Sequence, residues 1–495
     1  MKYKIVITLL IVFNNIFAQN ILTPLEKSNY QEITEYSDMV NFIVNIDKSN
    51  DLVEAKIIGQ TVEKRDMYCL FFSNEKFGTN PNKIKVIIFA QQHGNEPSGK
   101  EGALLLINDL LKKENKYIFD KIDLALIPQV NADGGEKNKR RNGNNADLNR
   151  NHLILTEPET IAIHNLFNQY LFDANLDVHE YYPFEDSVAY RRNFDVQVGG
   201  STNINISQKI RDLTNNDYLP YIKKYLNENG YSFNIYSPGG MEENNYIRYS
   251  TFDINDGRQS FGILNSFSFI QEGINGIDYS VNNIKRRAEG QKTGMMGFIK
   301  YLYSNNKKIK RIVAEEREKL IKPKQNEEVA VQLDHFSNGT EMEFHLLSLR
   351  SGNDTTFYVK NFRPVVKSLF SVDKPIGYLI HKDSTDLISW IYRYKIEMTN
   401  YKPNKNDVVE EYLITKIDSI DFEGDMVINP KCEINKIDPE NLENEYYFVP
   451  LNQLYGNLIS IALEPKSMLG LSTYKNYNNL IKLNDRYPIL KVTRE

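Results

Sequence analysis

The feature that most constrains this chain is an alternation of short apolar runs with segments of helical period, separated by polar loops. Lys85–Ala90 (KVIIFA) is a short buried-strand pattern, and Gly99–Leu111 follows with Ala103, Leu104, Ile107, Leu110 and Leu111 on one helical face. Asp123–Ile127 (DLALI) is a second strand, Glu159–Tyr170 a helix opened by Pro158, and Leu176–Val178 strand-like again. Strands alternating with helices predict an α/β fold, a mixed and largely parallel sheet flanked by helices, from about Ile21 to Tyr303. Lys307–Glu328 is charged and reads as helix or linker. Beyond it Val329–Leu333, Glu341–Leu349 and Thr355–Val359 are short and carry β-branched or aromatic residues, with one helix near Ser384–Tyr394. At 495 residues the chain exceeds what one core usually supports. The expected division is an α/β domain at 20–305, a charged linker or helix at 306–328 and a smaller β-rich C-terminal domain at 329–495.

Apolar residues make up 41% of the chain and aromatics 12%, ample material for a core. The net charge of −5 argues against a nucleic-acid partner, which would favour a strongly basic face. Residues 1–19 read as a secretory signal. Lys2 and Lys4 precede the apolar run Ile5–Phe13, and small Ala18 stands near the expected cut. That run is too short to span a bilayer, and no later segment is apolar enough to do so. A secreted or periplasmic location follows. The two cysteines, Cys69 and Cys432, are read as unpaired thiols.

Four polar clusters sit where such a fold places ligands, beyond the carboxyl ends of strands. The first is His93-Gly94-Asn95-Glu96, between a strand and a helix; His and Glu three apart in a turn can face one ion. The second runs from Asn131-Ala132-Asp133-Gly134 through Arg140-Arg141 to Asp147-Leu148-Asn149-Arg150, a polar loop suited to binding an anion. The third is Asp177-Val178-His179-Glu180. His179 would complete the two-His, one-Glu set that zinc commonly takes in hydrolytic sites. In the fourth, Glu272 ends an apolar strand and Gly273 follows. Each cluster alone has an ordinary reading as a solvated loop or a structural histidine.

Together they resemble the zinc carboxypeptidase family, carboxypeptidase A-like, over roughly Leu52 to Tyr303. The resemblance implies zinc on His93, Glu96 and His179, with Glu272 as general base and acid. It implies Arg140, or Arg141 beside it, polarising the scissile carbonyl, and Asn149 and Arg150 holding the free C-terminal carboxylate of a peptide substrate. Asp177 or Asp147 would orient a ligand histidine. Tyr246 and Tyr249 are the candidates for the family's mobile tyrosine. The remaining histidines, including His152 and His164, read as structural. The C-terminal part resembles an extension of some larger bacterial members. Two rival readings stand beside this one: a zinc amidase or deacylase acting on cell-wall peptides or N-acyl amino acids, and an inactive binding homologue.

Overall fold

The computed structural model describes residues 21–184, 189–240, 246–276, 281–323, 327–442 and 445–494; the expected signal segment lies outside them. Its centre is an eight-stranded sheet built from β1 (Val53–Gln60), β2 (Asp66–Phe72), β3 (Ile84–Ala90), β4 (Ile122–Ile127), β5 (Ala174–Tyr181), β7 (Val196–Gly200), β8 (Phe233–Ile235) and β9 (Phe267–Ile274), with the short β6 (Tyr190–Arg192) in another sheet. The order is β1-β2-β4-β3-β5-β9-β7-β8. The middle four, β4-β3-β5-β9, are parallel, and β1, β2 and β7 add antiparallel flanks.

β3 and β4 are apolar almost throughout because both their faces are covered. Successive side chains of a strand point to opposite faces. Ala90 meets Gly99 of the helix Pro97–Leu111 on one face, while Phe89 packs edge-on against Phe261 of the helix Gly257–Gly262 on the other. The helix Pro158–Tyr170 joins that second layer by stacking Phe167 on Phe261, ring centroids 4.2 Å apart. The register aligns Ala90 with Val178 and His179 with Glu272, so the polar clusters meet at one end of the sheet.

The 38-residue helix Ile284–Ile321 then runs beside Pro97–Leu111. The boundary expected at 305/306 falls inside it, and most of the stretch expected as a charged linker or helix is its second half. Ile309, Val313 and Leu320 continue its buried stripe at helical spacing, while the charges that suggested a linker occupy the outer face. The β-rich remainder forms three further sheets. β10 (Glu328–Phe336) pairs with β13 (Val365–Asp373); β11 (Met342–Ser348) and β12 (Asp354–Val359) form a hairpin to which β6 adds. β14 (Gly377–His381), β15 (Thr399–Asn400), β16 (Asp407–Phe422), β17 (Asp425–Ile437), β18 (Tyr446–Pro450) and β19 (Ile489–Arg494) make an antiparallel sheet. A continuous apolar core joins this part to the α/β part. Cys69 and Cys432 are free thiols. Among the described residues no helix is long and apolar enough to cross a membrane.

Candidate active site

β3 ends three residues before His93, and the loop closes at Glu96, where the helix Pro97–Leu111 starts. Gly94 is required here: a Cβ would lie 2.1 Å from the Gly134 carbonyl carbon and 2.5 Å from the Lys139 oxygen. The His93–Glu96 loop is thereby pressed against the arginine loop that follows β4. Gly94 N–H donates to the Arg140 carbonyl (3.2 Å), and Asn131 Nδ2 donates to the carbonyls of Gln92 (3.0 Å) and Arg140 (3.2 Å). Asp147 caps the turn Leu148–Arg150 by accepting from Asn149 N–H.

His93, Glu96 and His179 bring one ligand atom each within 4.8 Å of one another, the one such group found among the described residues. His93 Nδ1 lies 2.7 Å from Glu96 Oε1 and 3.2 Å from His179 Nδ1; His179 Nδ1 lies 2.9 Å from Glu96 Oε2. These separations approach the ~3.3 Å edge of a tetrahedron with ~2.05 Å bonds. The far ring nitrogens both face carboxylates. His93 Nε2 is 3.1 Å from Asp147 Oδ1, and His179 Nε2 is 2.9 Å from Asp177 Oδ1, off the ideal hydrogen-bond direction. An acceptor at Nε2 keeps the proton there and turns the Nδ1 lone pair toward the shared point, which fits a zinc ion. Burial disfavours the charged imidazole of His179, yet Asp177 and Glu96 outweigh it and hold its pKa well above the usual histidine value. Burial likewise opposes ionisation of Glu96, and the two histidines overcome it.

Glu272 faces the same point from β9, buried, its Oε2 without a hydrogen-bond partner. Burial, reinforced by Glu96 and Asp177, pushes its pKa up to about 8. Arg140 lines the cleft, with Nη2 3.0 Å from Asp147 Oδ2 and Nη1 3.5 Å from Glu96 Oε1. Its neighbour Arg141 turns away and donates to the Asn145 carbonyl. Asn149 spends Oδ1 on Gly257 N–H (2.8 Å) and Gln92 Nε2 (3.2 Å), which leaves its Nδ2 donor for an anion. Arg150 is open to solvent through the cleft. Partial desolvation opposes its charge, but Asp253, Asp147 and Asp256 outweigh that and raise its pKa. All seven predicted site residues except His179 line one cleft of about 370 Å³, and His179 lies beneath its floor.

Tyr246 and Tyr249 do not reach the cleft. Tyr246 OH donates to Asp334 (3.3 Å) and Tyr249 packs on Phe362, whereas Tyr236 lines the cleft beside Glu272. Asp256, which also lines it, is ion-paired with buried Arg258 at 2.5 Å. Neither Tyr236 nor Asp256 carries a sequence signal, because each is brought in by loop folding rather than by spacing. Gln92 is the other residue missed. Its Nε2 donates to Asp177 (2.9 Å) and Asn149, and its Oε1 accepts from His152 Nε2 (2.7 Å). Its position beside His93 was the one available hint.

Residues 39–261 match the family described as zinc carboxypeptidase, a stretch that ends eleven residues before Glu272. Carboxypeptidase 2 of Trichophyton rubrum is 22% identical over 440 residues, 86% of this chain and 80% of that one. Human carboxypeptidase D is 27% identical over 236 residues, 40% of this chain and 17% of that one. A metallo-carboxypeptidase from Pseudomonas aeruginosa solved with (2-guanidinoethylmercapto)succinic acid aligns at 18% identity and TM-score 0.44, over 56% of this chain and 70% of that one. Residues 39–261 are thus a zinc carboxypeptidase domain, and the chain is an enzyme of the metallocarboxypeptidase class.

Proposed function

We propose that this enzyme removes C-terminal residues from peptides outside the cytoplasm, with zinc held by His93, Glu96 and His179. The observation that carries the proposal is the meeting, in one cleft, of this ligand set with a buried carboxyl at Glu272 and an open cation at Arg150. The extracellular setting rests on Lys2, Lys4 and the apolar run Ile5–Phe13.

Zinc bound there would supply Lewis acidity, acidifying a water and polarising a carbonyl. Arg150 and the Asn149 amide bind the terminal carboxylate, a group that only a chain end carries, and so fix which bond is presented. Arg140 donates to the carbonyl oxygen as negative charge develops on it. Glu272 takes the water's proton and returns it to the departing amine; a carboxyl whose pKa burial has raised toward neutrality can do both. Asp147 and Asp177 keep the imidazoles turned toward the ion.

The test compares hydrolysis of one peptide with a free and with an amidated C-terminus. The free form is expected to be preferred by at least about 100-fold, and Glu272→Gln to lower kcat by about 10²–10⁴-fold while zinc stays bound. Equal cleavage of the amidated peptide would remove the roles of Asn149 and Arg150 and favour the amidase reading. Less than one zinc per chain together with no hydrolysis would favour an inactive binding homologue.

A further inference from the structure

The wall of the cleft around Thr251 and Asp256 belongs to the segment 246–256, and this segment is held from behind by the C-terminal part of the chain. Ile247 forms a β-bridge with Phe362 and its carbonyl accepts from Arg363 N–H (2.9 Å). Phe252 packs between the buried ring of His335 and Phe422, at 5.1 and 5.6 Å. Asn255 donates to Tyr474 OH (2.9 Å). The strongest tie is Arg248, whose guanidinium grips both carboxylate oxygens of Glu423, Nε–Oε1 3.1 Å and Nη2–Oε2 3.0 Å, with both side chains under 15% exposed.

Glu423 sits at the tip of the β16–β17 hairpin, in the turn Glu423-Gly424. Two features set this tip apart. Glu423 has φ +54, a left-handed conformation that a hairpin turn ordinarily assigns to Asn or Gly, so a glutamate here is disfavoured by the turn itself. Residues 415–419 of the arm are exposed on both faces, and burial resumes only near the tip where Phe422 and Glu423 meet the cleft wall. A second tie reinforces the first: β6 pairs with β11, and cleft-lining Arg192 lies over Phe344 (5.1 Å) while donating to the carbonyls of Ser237 and Gly239. Both ties act on backbone that carries cleft residues, and neither touches the metal ligands.

We infer that the β16–β17 arm is a specificity element, which through the Glu423–Arg248 pair fixes segment 246–256 and with it the subsite for the substrate's C-terminal side chain. The inference rests on the carboxypeptidase reading for the meaning of that subsite. Arg248 and Glu423 are positioning residues: they touch no reacting atom and act through Thr251 and Asp256. Just beyond the segment, Arg258 of the helix Gly257–Gly262 transmits the constraint, donating to Ser250 Oγ (2.6 Å), Thr251 Oγ1 (2.7 Å) and Asp256 Oδ2 (2.5 Å).

The test is Glu423→Asn in the full chain, a change that suits the left-handed turn and removes the ion pair, with Arg248→Met/Glu423→Asn as the second variant in case an unpaired arginine unfolds the first. Amide hydrogen exchange over 246–256 should accelerate by about tenfold or more. Across peptides that differ only in their last residue, relative kcat/KM should shift by about three- to tenfold, through KM, while kcat on the best substrate and the zinc content stay as in the wild type. Exchange and preference both unchanged in a folded variant would overturn the inference, as would a uniform loss of kcat together with zinc. Absence of any peptide cleavage by the wild type would instead overturn the carboxypeptidase reading, and the exchange result would still judge the clamp.

Discussion

Gln92 shows how much a single neutral side chain can organise in this site. Burial lowers the pKa of His152 to about 4, so its imidazole is neutral at physiological pH. With the proton on Nε2, His152 donates to Gln92 Oε1, and its free Nδ1 accepts from His164 Nε2, 3.1 Å away. That chain leaves Gln92 Nε2 directed at Asp177, which faces His179, and at Asn149, which faces the cleft. One amide therefore ties the His93–Glu96–His179 side of the site to the Asn149–Arg150 side. Gln92→Leu removes both ends of the link, taking a donor from Asp177 and Asn149 and leaving the His152 Nε2 proton without its acceptor. Zinc affinity, measured by competition with a chelator, should fall about 10- to 100-fold, and kcat/KM by a similar factor. Unchanged values for both would show that Asp177 and Asn149 hold their positions without it.

At the scale of elements, the arginine loop depends on an anchor at the start of the helix Pro158–Tyr170. Asn142 Nδ2 donates to Glu157 (2.8 Å) and Glu159 (3.1 Å), while Asn142 Oδ1 accepts from the backbone of Asn144 and Ala146. Burial, with Asp133 adding to it, raises the Glu159 pKa to about 7. The native state therefore holds a proton that the unfolded chain loses near pH 4.5, and the stability this contributes is present below that pH and lost as pH rises through about 7. The wild type's stability relative to Glu159→Gln should be greater at pH 5 than at pH 8, by roughly 1–3 kcal/mol in urea unfolding. The opposite sign would mean that Glu159 is ionised in the fold. The elements themselves were legible in the sequence wherever one local pattern decides them: the apolar runs at Lys85–Ala90 and Asp123–Ile127, the helix over Gly99–Leu111, and the placement of His93, Glu96 and His179 at one end of the sheet. What escaped depends on contacts distant in sequence. The unbroken run of the helix from Ile284 to Ile321 hides behind its charged outer face, and Tyr236 and Asp256 enter the cleft on loops whose course is set by Arg258 and by the C-terminal strands.

At the scale of the whole molecule, the α/β part and the β-rich part are bound by more than adjacency. Trp390 of the helix Thr385–Tyr394 is fully buried and donates to the Leu153 carbonyl (2.9 Å); Tyr394 OH donates to the His152 carbonyl, and Arg393 to that of Ile154 (3.2 Å). These three carbonyls belong to the segment just after Arg150, and His152 leads directly to Gln92. Loss of this contact would expose backbone acceptors and a large aromatic surface beside the site, so the two parts should unfold together. Trp390 is the only tryptophan in the chain, which makes its fluorescence a reporter of this one interface. In a urea titration its red shift and the loss of peptidase activity should share a midpoint, and Trp390→Ala should cost about 3–5 kcal/mol. Trp390 exposed at a urea concentration where activity is intact would show instead that the β-rich part can detach while the cleft keeps its form.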